Sequence, residues 1–130
     1  MLTGRNQWYY EGQPVMRHFR DFEDEHKDKL SYCVFIAPKL HRDTINTFWN
    51  AVKYGYEGQR QKIIPLSISN FVSILKSLLD MKTKQKSLRH ENLSSLYDQI
   101  LSSTNSFSDS NEWLGSIRAT ISSWQKDIAS

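Results

Sequence analysis

Two short apolar runs, Tyr32-Cys33-Val34-Phe35-Ile36-Ala37 and Ile63-Ile64-Pro65-Leu66-Ser67-Ile68, stand either side of a segment with helical spacing, and this order leaves the chain few ways to fold. The first run is continuous, rich in aromatic and β-branched residues, and stops at Pro38, which describes a strand buried on both faces. The second is shorter and carries a proline, so it is expected toward a sheet edge or with a bulge near Pro65. Between them Ile45, Phe48, Trp49 and Val52 keep one helical face, with Asp43 or Thr44 as the expected cap and Gly55 and Gly58 as punctuation. Strand, helix and strand in that order predict a βαβ unit with parallel strands, and the fold class is α/β.

The flanking segments read as helices. Val15, Phe19, Phe22 and His26 recur at helical spacing behind Pro14, which predicts an amphipathic helix over residues 14–27. After Ser67 or Ser69 as a cap, Phe71, Ile74, Leu75, Leu78 and Leu79 form a wide apolar stripe expected to pack on the sheet. Two more helices follow, one carrying Leu93, Leu96, Tyr97, Ile100 and Leu101, the other Trp113, Ile117, Ile121, Trp124 and Ile128. A Ser/Asn/Asp-rich linker separates them, and Asp109 and Glu112 have capping-box spacing for the last helix. The expected organisation is an α/β half over residues 1–80 and a helical C-terminal extension over 81–130.

Composition narrows the classes. With 130 residues, 38% hydrophobic and 24% charged, the chain suits one globular domain. No apolar run approaches the roughly 20 residues of a membrane helix, and the N-terminus has no signal-like apolar stretch, so a cytoplasmic location without a membrane is expected. The net charge of +3 is compatible with phosphate binding without requiring it. Lys82, Lys84, Lys86 and Arg89 form a basic stretch that reads first as a solvated connector. The lone Cys33 lies inside an apolar run, as a buried small hydrophobe does.

Few residues carry recognisable chemistry. His18, His26, His41 and His90 lack zinc-ligand spacing, and no phosphate-binding glycine loop or serine-hydrolase elbow is present. Trp49, Trp113 and Trp124 sit on apolar helical faces and read as core; Trp8, Tyr9 and Tyr10 stay open, because a strand would turn alternate members outward. The loop holding Lys39, His41 and Arg42 falls at the C-terminal end of the first strand, where α/β sheets usually bind ligands. Glu11 is the one acidic residue among the first twenty. Spacing alone leaves it equally readable as a first-turn carboxylate at a helix start or as a metal ligand.

The segments GRNQWYYEGQPVMRHF, YCVFIAPKLHRDTINTFW and KIIPLSISNFVSIL, in this order over about the first eighty residues, resemble the closing half of the AlwI-type restriction endonuclease domain, which includes related nicking enzymes. The order of elements is also similar to the tail of the FokI-like PD-(D/E)XK core. The resemblance implies a Mg²⁺-dependent type IIS or nicking endonuclease acting on double-stranded DNA, with Glu11 assisting at the active site as a metal ligand or by orienting water. By the same resemblance Gln7, Arg17 and His18 line the active-site face and contact the scissile phosphate, with Gln7 a catalytic candidate beside Glu11; on the nuclease reading Arg5, Arg17, Lys39, His41 and Arg42 are expected to supply sequence-independent phosphate contacts.

The family's acidic residue, spacer and lysine do not occur in residues 1–13, so the principal metal-binding motif is expected upstream or on a partner subunit, and the chain alone is expected not to cut. A second domain for the other strand implies dimerisation. The competing readings are a non-catalytic partner-docking or DNA-binding module, favoured by exposed Trp or Leu over residues 91–128, and an unrelated α/β protein with no DNA affinity.

Overall fold

The computed structural model describes residues 2–130. A wide-turned helical segment, Trp8–Gly12, runs into α1 (Gln13–Glu25); β1 (Cys33–Ala37), α2 (Arg42–Lys53), β2 (Ile63–Ser67) and α3 (Ile68–Thr83) follow, then α4 (His90–Ser102), a short 3-10 turn (Ser103–Ser106) and α5 (Ser110–Ala129). The chain is therefore α/β, with the expected βαβ unit, flanking helices and helical C-terminal extension.

β1 and β2 pair in parallel with an unbroken register from Cys33 opposite Ile63 to Ala37 opposite Ser67. The Cys33 N–H donates to the Lys62 carbonyl at 2.9 Å. In a parallel ladder that sets the parity: Ile64 and Leu66 turn their backbone groups toward β1, and Pro65 turns its nitrogen away. The missing N–H of Pro65 thus costs the ladder nothing; of the two alternatives expected for this strand, the edge position holds and the bulge does not form. β1 departs from the expected burial on both faces. Phe35 and Ala37 are buried, whereas Cys33, Val34 and Ile36 are half-buried, because in a two-stranded sheet β1 is itself an edge.

Trp8, Tyr9 and Tyr10 are helical rather than extended. The Gln13 N–H reaches back five residues to the Trp8 carbonyl, giving a π-type turn just before Pro14, which has no N–H for the ordinary α ladder. The buried side of α1 is Met16 and Phe19; Phe22 is exposed and stacks on His26 at 4.2 Å instead of entering the core.

Ser67 caps α3, accepting from the Asn70 N–H at 3.1 Å, and Asp109 caps α5, accepting from Glu112 at 2.9 Å. Of the stripe expected on α3, Ile74 is buried and Phe71 and Leu78 partly so, but Leu75 and Leu79 are exposed beside Ile68 and Val72. One hydrophobic core runs from Met16 to Trp124, and Trp49, Trp113 and Trp124 all lie in it. The Trp113 indole N–H donates to the Ile100 carbonyl at 3.0 Å and that of Trp124 to Asn92 at 2.8 Å, whereas the buried indole nitrogen of Trp49 has no partner among the described residues. Lys86, from the basic stretch, reaches the last carbonyls of α5, including that of Ala129 at 2.8 Å, and Lys84 pairs with Asp80 at 3.0 Å. No helix among the described residues is long and apolar enough to cross a membrane.

Candidate functional site

Gln7 organises the C-terminal end of β1. Its side chain is fully buried, and its amide nitrogen donates to the carbonyls of Leu2 and Lys39, both at 2.7 Å. Its amide oxygen accepts the His41 N–H at 2.8 Å. Both amide hydrogens and the oxygen are thus engaged, and one side chain fastens the N-terminal segment and the helical turn to the loop after β1. Gln7 has no polar atom left for a substrate, and the geometry gives it a positioning role.

Glu11 stands one turn further on, partly exposed, with Oε1 accepting the Leu2 N–H at 2.8 Å. It lies within the wide-turned segment rather than ahead of a helix start. Gly12 lets this segment approach α2. A Cβ added there would stand 3.0 Å from the Trp8 ring, 3.4 Å from the Thr44 methyl and 3.7 Å from Phe48. That close approach was readable, because a glycine inside a helical run commonly marks one. Thr44 was anticipated only as a cap, yet it is fully buried and its hydroxyl has no partner among the described residues.

The residue that does cap α2 is His41. Its Nδ1 accepts the Asp43 N–H at 3.2 Å, in place of the Asp43 or Thr44 cap that spacing predicts. Accepting at Nδ1 leaves Nε2 as the ring nitrogen without a partner there. Imidazole can substitute for the usual oxygen acceptor because the loop backbone, held by Gln7, delivers the ring to the helix end. Arg42 begins α2 with its side chain 83% exposed, 3.8 Å from Asp43, and Lys39 is exposed while its carbonyl serves Gln7.

The structure therefore joins Gln7 to Lys39 and His41, with Leu2 linking Gln7 to Glu11, while Arg42 follows His41 at the start of α2. Arg5 lies exposed in the turn before the helix. Arg17 and His18 are exposed on α1, His18 two turns beyond Glu11 on the same face, and no hydrogen bond ties either to the loop. Arg20 instead pairs with Glu57 and Asp21 and lies over Tyr56, binding α1 to the turn before β2. Among the described residues no three His, Cys, Asp or Glu side chains converge as metal ligands.

A family model described as AlwI restriction endonuclease matches residues 1–74, more than half of the chain. The chain belongs to the AlwI restriction endonuclease family. The matched region carries the whole constellation around Gln7, the βαβ unit and the first part of α3, while α4 and α5 lie outside it. Membership supports a restriction-nuclease kind of function with DNA as the family's substrate. No curated protein matches the chain.

Proposed function

We propose that the chain forms the phosphate-facing part of a type IIS or nicking restriction endonuclease of the PD-(D/E)XK kind. The observation that carries this reading is the Gln7 clamp on the basic loop after β1, with Leu2 shared between Gln7 and Glu11, all within the family-matched region. Lys39, Arg42 and the free nitrogen of His41 contact backbone phosphates of duplex DNA, and Arg5, Arg17 and His18 extend the basic surface along the helix. Such contacts attract DNA without reading its sequence.

Mg²⁺, the ion this reading implies, would supply Lewis-acid activation of water where a full set of oxygen ligands held it. Glu11 offers the hard oxygen donor that Mg²⁺ prefers, but one carboxylate with one oxygen already accepting an N–H falls short of a site. The remaining carboxylates come from polypeptide outside these residues, and the chain by itself binds DNA without cutting it.

The test is duplex-DNA binding measured across salt concentration, with plasmid cleavage in Mg²⁺ alongside. Expected are binding that weakens steeply with salt, a shallower salt slope for the Lys39→Ala, Arg42→Ala double variant, and intact plasmid. Absence of binding at low salt overturns the DNA-facing reading. Nicking by the chain alone overturns the shared metal site.

A further inference from the structure

The connector between α3 and α4 is anchored at both ends. α3 closes in a Schellman turn, in which the Gln85 N–H donates to the Lys82 carbonyl at 3.1 Å and the Lys86 N–H to that of Met81 at 2.9 Å. Gln85 stands at φ 58°, the left-handed region that glycine usually fills at this position. Lys86 then reaches the Ala129 carbonyl at the end of α5 at 2.8 Å, and the Arg89 N–H donates to Asn92 Oδ1 at 3.0 Å as α4 begins. Leu88, between these anchors, is 46% exposed. The turn therefore presents it to solvent in a fixed place.

Behind Leu88 lies a cavity of about 620 Å³ lined by Leu78, Leu88, Arg89, His90, Glu91 and Leu93. α3 and α4 both pack on α5, which sets the spacing of the two walls. Leu78 and Leu93 rest against the core and supply an apolar floor. Leu75 and Leu79 stand within about 100° of Leu78 around α3, and both are exposed, so the apolar surface continues from the cleft onto the helix. The rim is basic. Lys82 lies one turn beyond Leu78 on α3, Arg89 stands at the head of α4, and neither has an ion-pair partner among the described residues. Lys84 and Lys86 are already engaged by Asp80 and by α5, and Glu91 is the acidic member of the lining. The cleft lies wholly beyond residue 74, outside the family-matched region.

We propose that this cleft docks an amphipathic α-helix of a partner protein, one whose apolar ridge is flanked by Asp and Glu. A groove between two helices takes the ridge of a third, whose anchors at i, i+3 and i+4 reach the leucines while its acidic neighbours meet Lys82 and Arg89. The charge around the rim decides the sign of the partner's flanks, because like charges brought together there are strongly penalised. A flat bilayer reaches Leu79 and Leu88 but not the recessed floor, and an apolar floor offers a nucleic-acid phosphate no donor. The docking site goes beyond the nuclease reading and uses none of its residues.

The probe is a fluorescein-labelled synthetic peptide of about eighteen residues, long enough to turn helical, with leucines at i, i+3, i+4 and i+7, glutamates beside them and alanines behind. It is titrated by fluorescence anisotropy at low salt, where rim charges are least screened, against a second peptide with lysine in place of every glutamate. Expected is saturable binding of the acidic peptide, at least about tenfold tighter than that of the lysine peptide. K82E combined with R89E reverses the preference, and Leu88→Ser, a change at an exposed site, weakens acidic-peptide binding about tenfold. Circular dichroism matching the parent chain shows that each variant is folded. Equal affinity for the two peptides, or no binding of either at millimolar concentration, overturns the proposal. So does binding to phosphatidylserine vesicles that Leu88→Ser abolishes and the acidic peptide fails to displace, which makes a membrane surface the occupant. A dimer by light scattering that Leu88→Ser dissolves and the acidic peptide leaves intact overturns it in favour of a second copy. None of these readouts involves DNA or cleavage, so this result and the nuclease reading stand or fall separately.

Discussion

Gln7 joins three backbone groups that are distant in sequence, and removing its amide leaves the Leu2 and Lys39 carbonyls and the His41 N–H without their partner. Gln7→Leu, close in volume, is expected to destabilise the chain by about 1–3 kcal/mol, measured by urea unfolding. It should also raise amide exchange at His41 more than at Phe35. Equal stability would mean that the loop holds its place without the clamp. Cys33 carries a different expectation. Burial pushes its thiol up to about 11, with the Glu23 charge adding to the shift. The folded chain thus holds the thiol proton more tightly than the unfolded chain, so this contribution to stability is full below pH 9 and is lost as pH rises toward 11. Burial and the Asp98 hydrogen bond push Tyr32 up to about 12, in the same direction but from a higher starting value of 10.0. Cys33→Ala should therefore flatten the fall in unfolding midpoint between pH 9 and 10, and alkylation of native Cys33 at pH 8 should be slow, since about a thousandth of it is thiolate.

Among the elements, the wide-turned segment depends on Gly12 to lie against α2. Gly12→Val, with its branched side chain forced toward the Trp8 ring and the Thr44 methyl, is expected to cost about 1–3 kcal/mol and to displace Gln7 and Glu11 together. Thermal unfolding checks the first effect, and the chemical shift of the Gln7 side-chain amide the second. The βαβ unit and the caps at Ser67 and Asp109 were legible because each follows from local chemistry, namely a strand-like apolar run or a hydroxyl or carboxyl at a helix start. Trp113 and Trp124 were legible as core because their spacing matched the rest of α5. What local patterns could not supply was the context that decides between equals. Phe22 and Leu79 are as apolar as Phe19 and Ile74, and only the position of neighbouring elements leaves the first pair outside. Likewise His41 outcompetes Asp43 as cap because a residue thirty-four positions earlier holds its backbone. Gln7 and Glu11 were picked out by resemblance; spacing alone left Glu11 undecided and gave no sign of the saturated bonding of Gln7.

At the scale of the whole molecule, the helical extension shares the core of the βαβ unit rather than hanging from it. Exposed Trp or Leu along residues 91–128, the feature anticipated for a docking extension, is not what the described residues present; the exposed apolar side chains cluster on α3. Trp113→Ala is expected to cost about 3–5 kcal/mol in a single transition, seen alike by near-ultraviolet and far-ultraviolet circular dichroism. Two separated transitions would show instead that α4 and α5 melt on their own. A sheet with one closed and one open edge also has a particular arithmetic of assembly. Fibres need two adhesive edges per molecule, so that each addition leaves a new one exposed. Here Pro65, with its nitrogen turned outward, and α4, which packs against β2, retire one edge, so a strand added at β1 would use up the other. Growth would stop after one event, and the exposed edge of β1 does not seed an endless stack.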